Sequence, residues 1–240
     1  MNSWTIISEE YDKLLDKVDL KYREKYRRVN KIVINGMQYN FFNDFSLNTA
    51  FVTSFSEEGD ILSQWKEYGD HGLGYSIGIN PNCISDACIG IGFEKLFMLF
   101  KIEYDLNKYK QHIVNTLYNF FDWGDKLSEN DSYQILFAGK ILFLYLTFSY
   151  KRPKFSEENE WRCLCLGVAP EREFSRERNG SIVKYTELEL KSSSNTMVIE
   201  KIIMGPKLDS QKVRPDIEKL FKENNYPIPE IIRSSVVYLE

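Results

Sequence analysis

The order of strand-forming and helix-forming segments along this 240-residue chain predicts an α+β fold. Strand patterns cluster towards both ends and helical patterns lie between them, so the two do not alternate as they would in a doubly wound parallel sheet. A hydrophobic content of 43% is enough for a proper core. We therefore expect a single domain over residues 1–240, with a mixed or antiparallel, split sheet and helices inserted between its strand clusters.

The N-terminal segment carries apolar side chains at helical spacing, which predicts an amphipathic helix over residues 8–28. Residues 21–31, at its C-terminal end and just beyond it, are basic, with Glu24 as their one acidic residue. A charge run of this kind is either a solvated helix face or a patch that binds an anion or a partner. The basic residues are Lys21, Arg23, Lys25, Arg27, Arg28 and Lys31.

The next segment alternates short strands with one short helix. An Asp-initiated helix is expected because Asp60 can act as its N-cap, while Ile61, Leu62, Trp65 and Tyr68 share one face. Residues 80–92 are rich in Pro, Gly, Asn and Asp, which predicts a loop. The strands predicted on either side of the helix are Phe51–Ser56 and Gly74–Ile79.

The rest of the chain predicts a strand, two long helices and then mostly strands. The second long helix is apolar on most sides, which is typical of a central helix. The segment 170–180 alternates Glu and Arg and is expected to be a solvated loop. The predicted elements are the strand Leu96–Tyr104, helices 106–121 and 129–150, strands Glu160–Val168, Ile182–Leu190 and Met197–Met204, a helix 211–224 and a final strand Ile231–Tyr238.

The charge balance argues against several classes of partner. The formal net charge is −4, whereas a dedicated nucleic-acid binder usually has a basic surplus. The balance also gives no reason to expect an anionic membrane surface. The most apolar stretch, Ile135–Tyr150, has 16 residues and contains Lys140, whereas a membrane span needs about 20 apolar residues. The sequence therefore predicts a cytoplasmic protein with no membrane partner, and it leaves nucleic acid open as a partner without supporting it.

Metal ligands are sparse. His71 and His112 are the two histidines, and the four cysteines contain no C-x-x-C pair, so we expect no metal. Cys163 and Cys165 would face the same side of a strand, which indicates core packing.

Two clusters of polar residues could carry chemistry. On a strand, Ser54 and Ser56 point to one face, where hydroxyls could bind a ribose; the alternative is an edge strand with solvated serines. If a strand begins at residue 158, Glu158, Glu160 and Arg162 share a face, with the carboxylates about 7 Å apart. Such a pair can divide the work of stabilising a cation and activating a nucleophile. The alternative is a surface strand with Glu–Arg cross-pairing.

A third candidate is aromatic. Trp65 and Tyr68 lie three residues apart on the predicted short helix. Such pairs are usually core, but they could also wall a pocket for a flat ring, where stacking adds about 0.5–1.5 kcal/mol beyond area burial.

Several blocks of the sequence resemble a bacterial family of unknown function, DUF2971. Together they cover about residues 51–240 in order, so we divide the chain into a helical segment, 1–45, and a family-like core, 46–240. The blocks are Ser54–Gly69, Gly74–Ile79, Lys151–Phe155, Glu158–Arg162, Ile182–Leu188, Ile202–Pro206 and Ser234.

The motif order of this family is in turn similar to that of ADP-ribosyltransferase folds, and the resemblance implies roles for the candidate residues. Glu160 would hold the nicotinamide-side ribose of NAD and stabilise the oxocarbenium ion, and Glu158 would orient the acceptor. The remaining candidates would bind the cofactor: Ser54 and Ser56 on the supporting strand, Trp65 and Tyr68 beside the ring pocket, and Arg162 on a phosphate or paired with Glu158.

The resemblance therefore implies a cytoplasmic enzyme that uses NAD as a substrate, either an ADP-ribosyltransferase or an NAD glycohydrolase, acting as an effector in bacterial defence or conflict. Transferases of this type also grip NAD with an early Arg or His, for which Tyr22-Arg23 and Tyr26-Arg27 are the candidates here. The alternative function is a non-catalytic module that binds a nucleotide, or a protein through the basic N-terminal helix.

Overall fold

In the computed structural model, the described residues are 3–17, 23–24, 26–29, 31, 50–89, 96–166, 173–178, 180–191 and 197–237. The contacts divide the chain into two compact units. The larger unit comprises Met1–Ser54, Phe93–Glu157 and Trp161–Thr186, and the smaller unit comprises Phe55–Gly92, Glu158–Glu160 and Glu187–Glu240. The single domain stays a prediction.

The elements confirm the α+β class. Helices are α1 (Ser3–Lys17), α2 (Leu62–Glu67), α3 (Pro81–Ile89), α4 (Leu106–Asp125), α5 (Ser132–Phe148) and α6 (Ser210–Glu223). Strands are β1 (Phe51–Ser56), β2 (Tyr75–Ile79), β3 (Leu96–Lys101), β4 (Glu160–Leu166), β5 (Phe174–Arg178), β6 (Ser181–Tyr185), β7 (Ile199–Met204) and β8 (Glu230–Arg233). Short 3-10 helices cover Asp70–Gly72, Glu129–Asp131 and Pro153–Glu158.

Helices of the larger unit form an apolar core. Ile6 of α1 is buried with Tyr109 and Ile113 of α4 and with Leu146 of α5. The phenol of Tyr109 donates a hydrogen bond to the carbonyl of Leu146 at 2.6 Å, so this buried hydroxyl is satisfied. Tyr109 and Ile113 lie four residues apart, so they share one face of α4.

The sheet of the larger unit has the order β1-β4-β3, which places β4 in the centre. Strands β3 and β4 are antiparallel, with Leu96 opposite Leu166. Leu164 and Leu166 are fully buried in a cluster that includes apolar side chains of α5. Cys163 and Cys165 are also buried, which confirms that they pack in the core.

The smaller unit is built on a mixed sheet of order β2-β7-β8. Strands β2 and β7 are antiparallel, whereas β7 and β8 are parallel. Helix α6 packs on this sheet, because Ile217 and Phe221 are buried with Ile202, Met204 and Ile231. The predicted mixed or antiparallel sheet architecture is therefore confirmed.

Two predicted loops are wrong. Residues 81–89 form helix α3, which begins with Pro81 after Asn80. The Asn80 side chain accepts a hydrogen bond from the backbone N–H of Asn82 at 2.9 Å, so the Asn-Pro pair starts a helix here. Residues 174–178 form β5, which pairs with β6 across a turn that includes Gly180 at φ 74°.

The N-terminal segment is helical over Ser3–Lys17 and again at residues 26–29. Its basic residues partly serve the fold. Arg23 donates to the carbonyl of Asp16, and Arg28 donates to the carbonyls of Gly124 and Leu127. Lys21, Lys25 and Tyr22 lie outside the described residues. Among the helices that are described, none combines the length and apolar character needed to cross a membrane.

Candidate functional site

The predicted site residues are divided between the two units. Ser54 and Arg162 fall in the larger unit. The smaller unit contains the other five, Ser56, Trp65, Tyr68, Glu158 and Glu160.

The Glu-x-Glu segment straddles the start of the central strand. Strand β4 begins at Glu160, whereas Glu158 is the last residue of a 3-10 helix. Asn159 between them has a φ of 41°, in the left-handed region. The prediction that Glu158 shares a strand face with Glu160 and Arg162 is therefore wrong, because the alternation of faces begins at residue 160. Only Glu160 and Arg162 occupy alternate positions of β4 itself.

Glu160 is a buried carboxyl group. Its exposed fraction is 5%, whereas Glu158 is half-buried. Acidic side chains are almost never fully buried unless they are paired, because moving a carboxylate out of water is costly. Glu160 does have interaction partners within the protein. A buried, partnered carboxyl group at the end of a central strand is a candidate for chemistry.

Ser56 holds the backbone that leads into Glu160. Its hydroxyl lies 2.7 Å from the carbonyl oxygen of Glu158, to which it can donate, and accepts from the N–H of Glu58 at 3.1 Å. The N–H of Glu57 donates to the carbonyl of Asn159 at 3.2 Å. Ser56 therefore fixes the end of β1 against the Glu-x-Glu segment. Ser54 is exposed.

The two aromatic candidates, Trp65 and Tyr68, differ in burial. Trp65 is 3% exposed, and its indole N–H donates to a carboxylate oxygen of Asp60 at 2.7 Å. Tyr68, at the C-terminal end of α2, is 76% exposed. The predicted common face of Trp65 and Tyr68 is therefore wrong: one side chain packs inside the unit and the other faces solvent.

Asp60 is the polar centre of the smaller unit. The prediction that Asp60 is the N-cap of the short helix is wrong. Ile61 occupies the N-cap position, without a side-chain hydrogen bond. Besides Trp65, Asp60 accepts from the hydroxyl of Ser234 at 2.5 Å, and from the hydroxyl and N–H of Ser235 at 2.8 and 2.7 Å. Burial raises the pKa of this carboxyl, but the hydrogen bonds from Ser234, Trp65 and Ser235 lower it more, so the pKa lies below 3.8.

A strained turn follows helix α2. Asp70 and His71 have φ values of 48° and 52°, and Gly72 follows at 89°. His71 is exposed within this turn. Left-handed backbone at a non-glycine residue persists only where the surrounding structure holds it. This strain is visible in the structure and could not be predicted from the composition of the sequence.

Arg162 closes the end of a helix in the larger unit. One of its guanidinium nitrogens donates to the carbonyl of Phe148 at 2.7 Å, at the C-terminus of α5. The last carbonyls of a helix lack partners within the helix and carry partial negative charge, so a cation is favourable there. This bond gives Arg162 a structural role beside its predicted contact with a phosphate.

The remaining titratable candidates form no evident metal site. Within the described residues, no group of three or more His, Cys, Asp or Glu side chains could hold a metal ion. The imidazole of His112 lies 2.9 Å from the phenol oxygen of Tyr145, and burial lowers its pKa despite the opposing charge of Glu103. This pair joins α4 to α5 within the larger unit.

Residues 64–163 match the model of a family described as Protein of unknown function (DUF2971). The DUF2971 resemblance is therefore confirmed over this part of the chain. The matched segment includes Trp65, Tyr68, Glu158, Glu160 and Arg162, whereas Ser54 and Ser56 precede it. No curated protein and no solved structure matches the chain significantly.

Proposed function

We propose that this chain, which matches the DUF2971 family model over residues 64–163, consumes NAD. It would do so as an ADP-ribosyltransferase-like enzyme or as an NAD glycohydrolase. The observation that carries the proposal is Glu160, a carboxyl group only 5% exposed at the first residue of the central strand β4. A role as an effector in bacterial defence belongs to the same proposal and follows from the resemblance alone.

The proposed chemistry is cleavage of the bond between nicotinamide and ribose. The bonding electron pair leaves with nicotinamide, and positive charge develops on the ribose C1′ and ring oxygen. A fixed carboxylate next to that charge is worth more in a buried site than in water, because the local dielectric is low. Water or an acceptor then bonds to C1′ and loses its proton. Glu160 is the carboxylate of this step.

The residues before Glu160 support its placement. The hydroxyl of Ser56 holds the carbonyl of Glu158, and the N–H of Glu57 holds the carbonyl of Asn159. Because a carboxylate must be held in place to within a fraction of an ångström to be useful, these bonds are positioning interactions. Glu158, half-buried on the turn before the strand, keeps its proposed role of orienting the acceptor.

Nicotinamide release from NAD tests the proposal. Purified protein is incubated with NAD, alone and with cell lysate, and compared with Glu160→Gln. We expect release by the wild-type protein and a loss of at least about a hundredfold in the variant, as for other residues that stabilise transition-state charge. The matched control is Glu157→Gln, the same change at an exposed position three residues earlier, which should release nicotinamide at the wild-type rate.

The result that overturns the proposal is an absence of release under both conditions, together with no rise in melting temperature on adding NAD. Release that survives Glu160→Gln would remove Glu160 from the mechanism. Melting curves of both variants distinguish a lost activity from a lost fold.

A second candidate is a non-catalytic module that binds a nucleotide or a protein. It is favoured because the side chains of Ser56, Trp65 and Arg162, which were predicted to bind the cofactor, each form a hydrogen bond to another group of the protein. Deleting residues 1–30 would be a poor test, since Ile6, Leu14, Tyr26 and Val29 are buried core. Arg27→Glu with Lys31→Glu changes exposed charges instead, and loss of partner capture with unchanged melting would support this candidate.

A further inference from the structure

The strained turn, residues 68–72, links α2 to β2 with a backbone that favours glycine at three successive positions. Only Gly72 of these is a glycine; Asp70 and His71 also have positive φ values, of 48° and 52°. A side chain in the left-handed conformation costs free energy that glycine would avoid. The sequence therefore retains two side chains, at a cost, where a smaller residue would fit the backbone better.

Neighbouring backbone holds the turn in this conformation. The N–H of Gly205 donates to the carbonyl of Gly74, and the N–H of Lys207 donates to the carbonyl of Gly72, both at 3.0 Å. A Cβ at Gly205 would lie 2.4 Å from the carbonyl oxygen of Gly72, so the approach requires glycine. The segment after β7 thus supports the turn through these backbone hydrogen bonds.

The side chains on the outside of the turn share one open concave surface. Its lining consists of Lys66, Glu67, Tyr68, Asp70 and His71. Tyr68 presents most of its ring to solvent, since 76% of it is exposed. The two carboxylates, Glu67 and Asp70, outnumber the single ammonium group of Lys66. The partial negative charge of the C-terminus of α2 adds to the same sign.

This combination suits a planar cation. A guanidinium group stacks on the face of a tyrosine ring and pairs with a carboxylate through its planar fork of donors. A phosphate would meet two carboxylates, and a compact ammonium would stack less well than a planar group. We propose that the strained turn is a binding site for an arginine side chain of a protein partner. This site is independent of the proposed NAD chemistry.

The test is a titration of the ¹⁵N-labelled protein with the tripeptide acetyl-Gly-Arg-Gly-amide, followed by amide chemical shifts. The same peptide with citrulline in place of arginine keeps the planar shape and removes the charge. We expect shifts confined to the strained turn with the arginine peptide and none with the citrulline peptide. The site assignment fails if the two peptides give equal shifts, or if the shifts lie elsewhere.

Variants separate the ring from the charge. Tyr68→Ala should weaken binding about two- to fivefold, the worth of an exposed cation–π contact, while Tyr68→Phe should bind as the wild type does. Asp70→Asn keeps a residue that tolerates left-handed backbone and should also weaken binding. The control is Tyr226→Ala, which removes another tyrosine, 64% exposed, in the same unit.

Unchanged affinity in both Tyr68→Ala and Asp70→Asn would overturn the proposal. Glu160→Gln should bind the arginine peptide as the wild type does, so failure of the NAD proposal leaves this one standing. Loss of peptide binding in Glu160→Gln would contradict the independence of the two sites.

Discussion

The two three-stranded sheets differ in what stabilises them. In the larger unit, the face of β3 and β4 is covered by the apolar helix α5, and Leu164 and Leu166 are fully buried. In the smaller unit, α6 packs on the β2-β7-β8 sheet, yet Tyr75 and Ile77 of β2 remain 47% and 55% exposed. The apolar side chains of β2 are therefore less buried than those of the central strand β4, and polar bonds add to the stability of the smaller unit.

Asp60 is the clearest sign of that difference. Its carboxylate joins the start of α2 to the segment after β8 through Trp65, Ser234 and Ser235. Hydrogen bonds to a charged group are worth about 1.5–3 kcal/mol each, more than those between neutral groups. The comparison teaches that the smaller unit adds to its apolar core a carboxylate whose hydrogen bonds join distant segments of the chain.

The sharpest test of the larger sheet is Leu164→Ala. Because Leu164 is fully buried, the lost apolar burial and the cavity should cost about 2–5 kcal/mol of the free energy of unfolding, measured by urea denaturation. Ile77→Ala on the smaller sheet is the matched change and should cost less than about 1 kcal/mol. Equal losses in the two variants would show that exposure does not distinguish the sheets.

Asp60→Ala tests the smaller unit with the next largest effect. It leaves the indole N–H of buried Trp65 and the hydroxyl of buried Ser234 without their acceptor. We expect a loss of about 1.5–3 kcal/mol in the free energy of unfolding. The control is Asp209→Ala, which removes a helix N-cap in the same unit and should cost about 1 kcal/mol. A smaller loss at Asp60 than at Asp209 would contradict its central role.

The same carboxylate should make stability depend on acid. Its pKa in the folded protein lies below the ordinary 3.8, so its contribution is fully present above the pKa of the unfolded chain and is lost as pH falls through the folded pKa. The difference in free energy of unfolding between wild type and Asp60→Asn should be constant above about pH 5 and shrink below about pH 4. Urea denaturation across this range measures it; a constant difference would mean that the charge of Asp60 contributes nothing.

Local patterns predicted the elements and missed the contacts between distant residues. The apolar character of α5 and the apolar run of β3 were sufficient, because a segment that is apolar on most sides is typical of a buried element. The strand β5 was missed because all of its residues are exposed, which leaves no apolar alternation to detect. Helix α3 was missed because Asn80-Pro81 marks helix starts as well as loops.

The candidate site shows the same limit. The short strand with Ser56 and the Glu160 strand were found from local sequence, but the bonds that join them span the chain. Asp60 and Ser234 are 174 residues apart, so no window of sequence could pair them. Only the presence of both in the family-like blocks could have suggested a link.

His71→Gly should have the smallest effect, and it should stabilise the protein. The φ of His71 is 52°, a conformation that costs an ordinary residue about 1 kcal/mol and glycine nothing. Part of this gain is offset because glycine is more flexible in the unfolded chain, so we expect a rise of about 1 °C to 3 °C in melting temperature. Calorimetry measures it, with Leu73→Gly as control: this exposed neighbour has a φ of −98°, and glycine there should lower the melting temperature. A lower melting temperature for His71→Gly would mean that the imidazole itself stabilises the turn, and the strain would then need no functional reason.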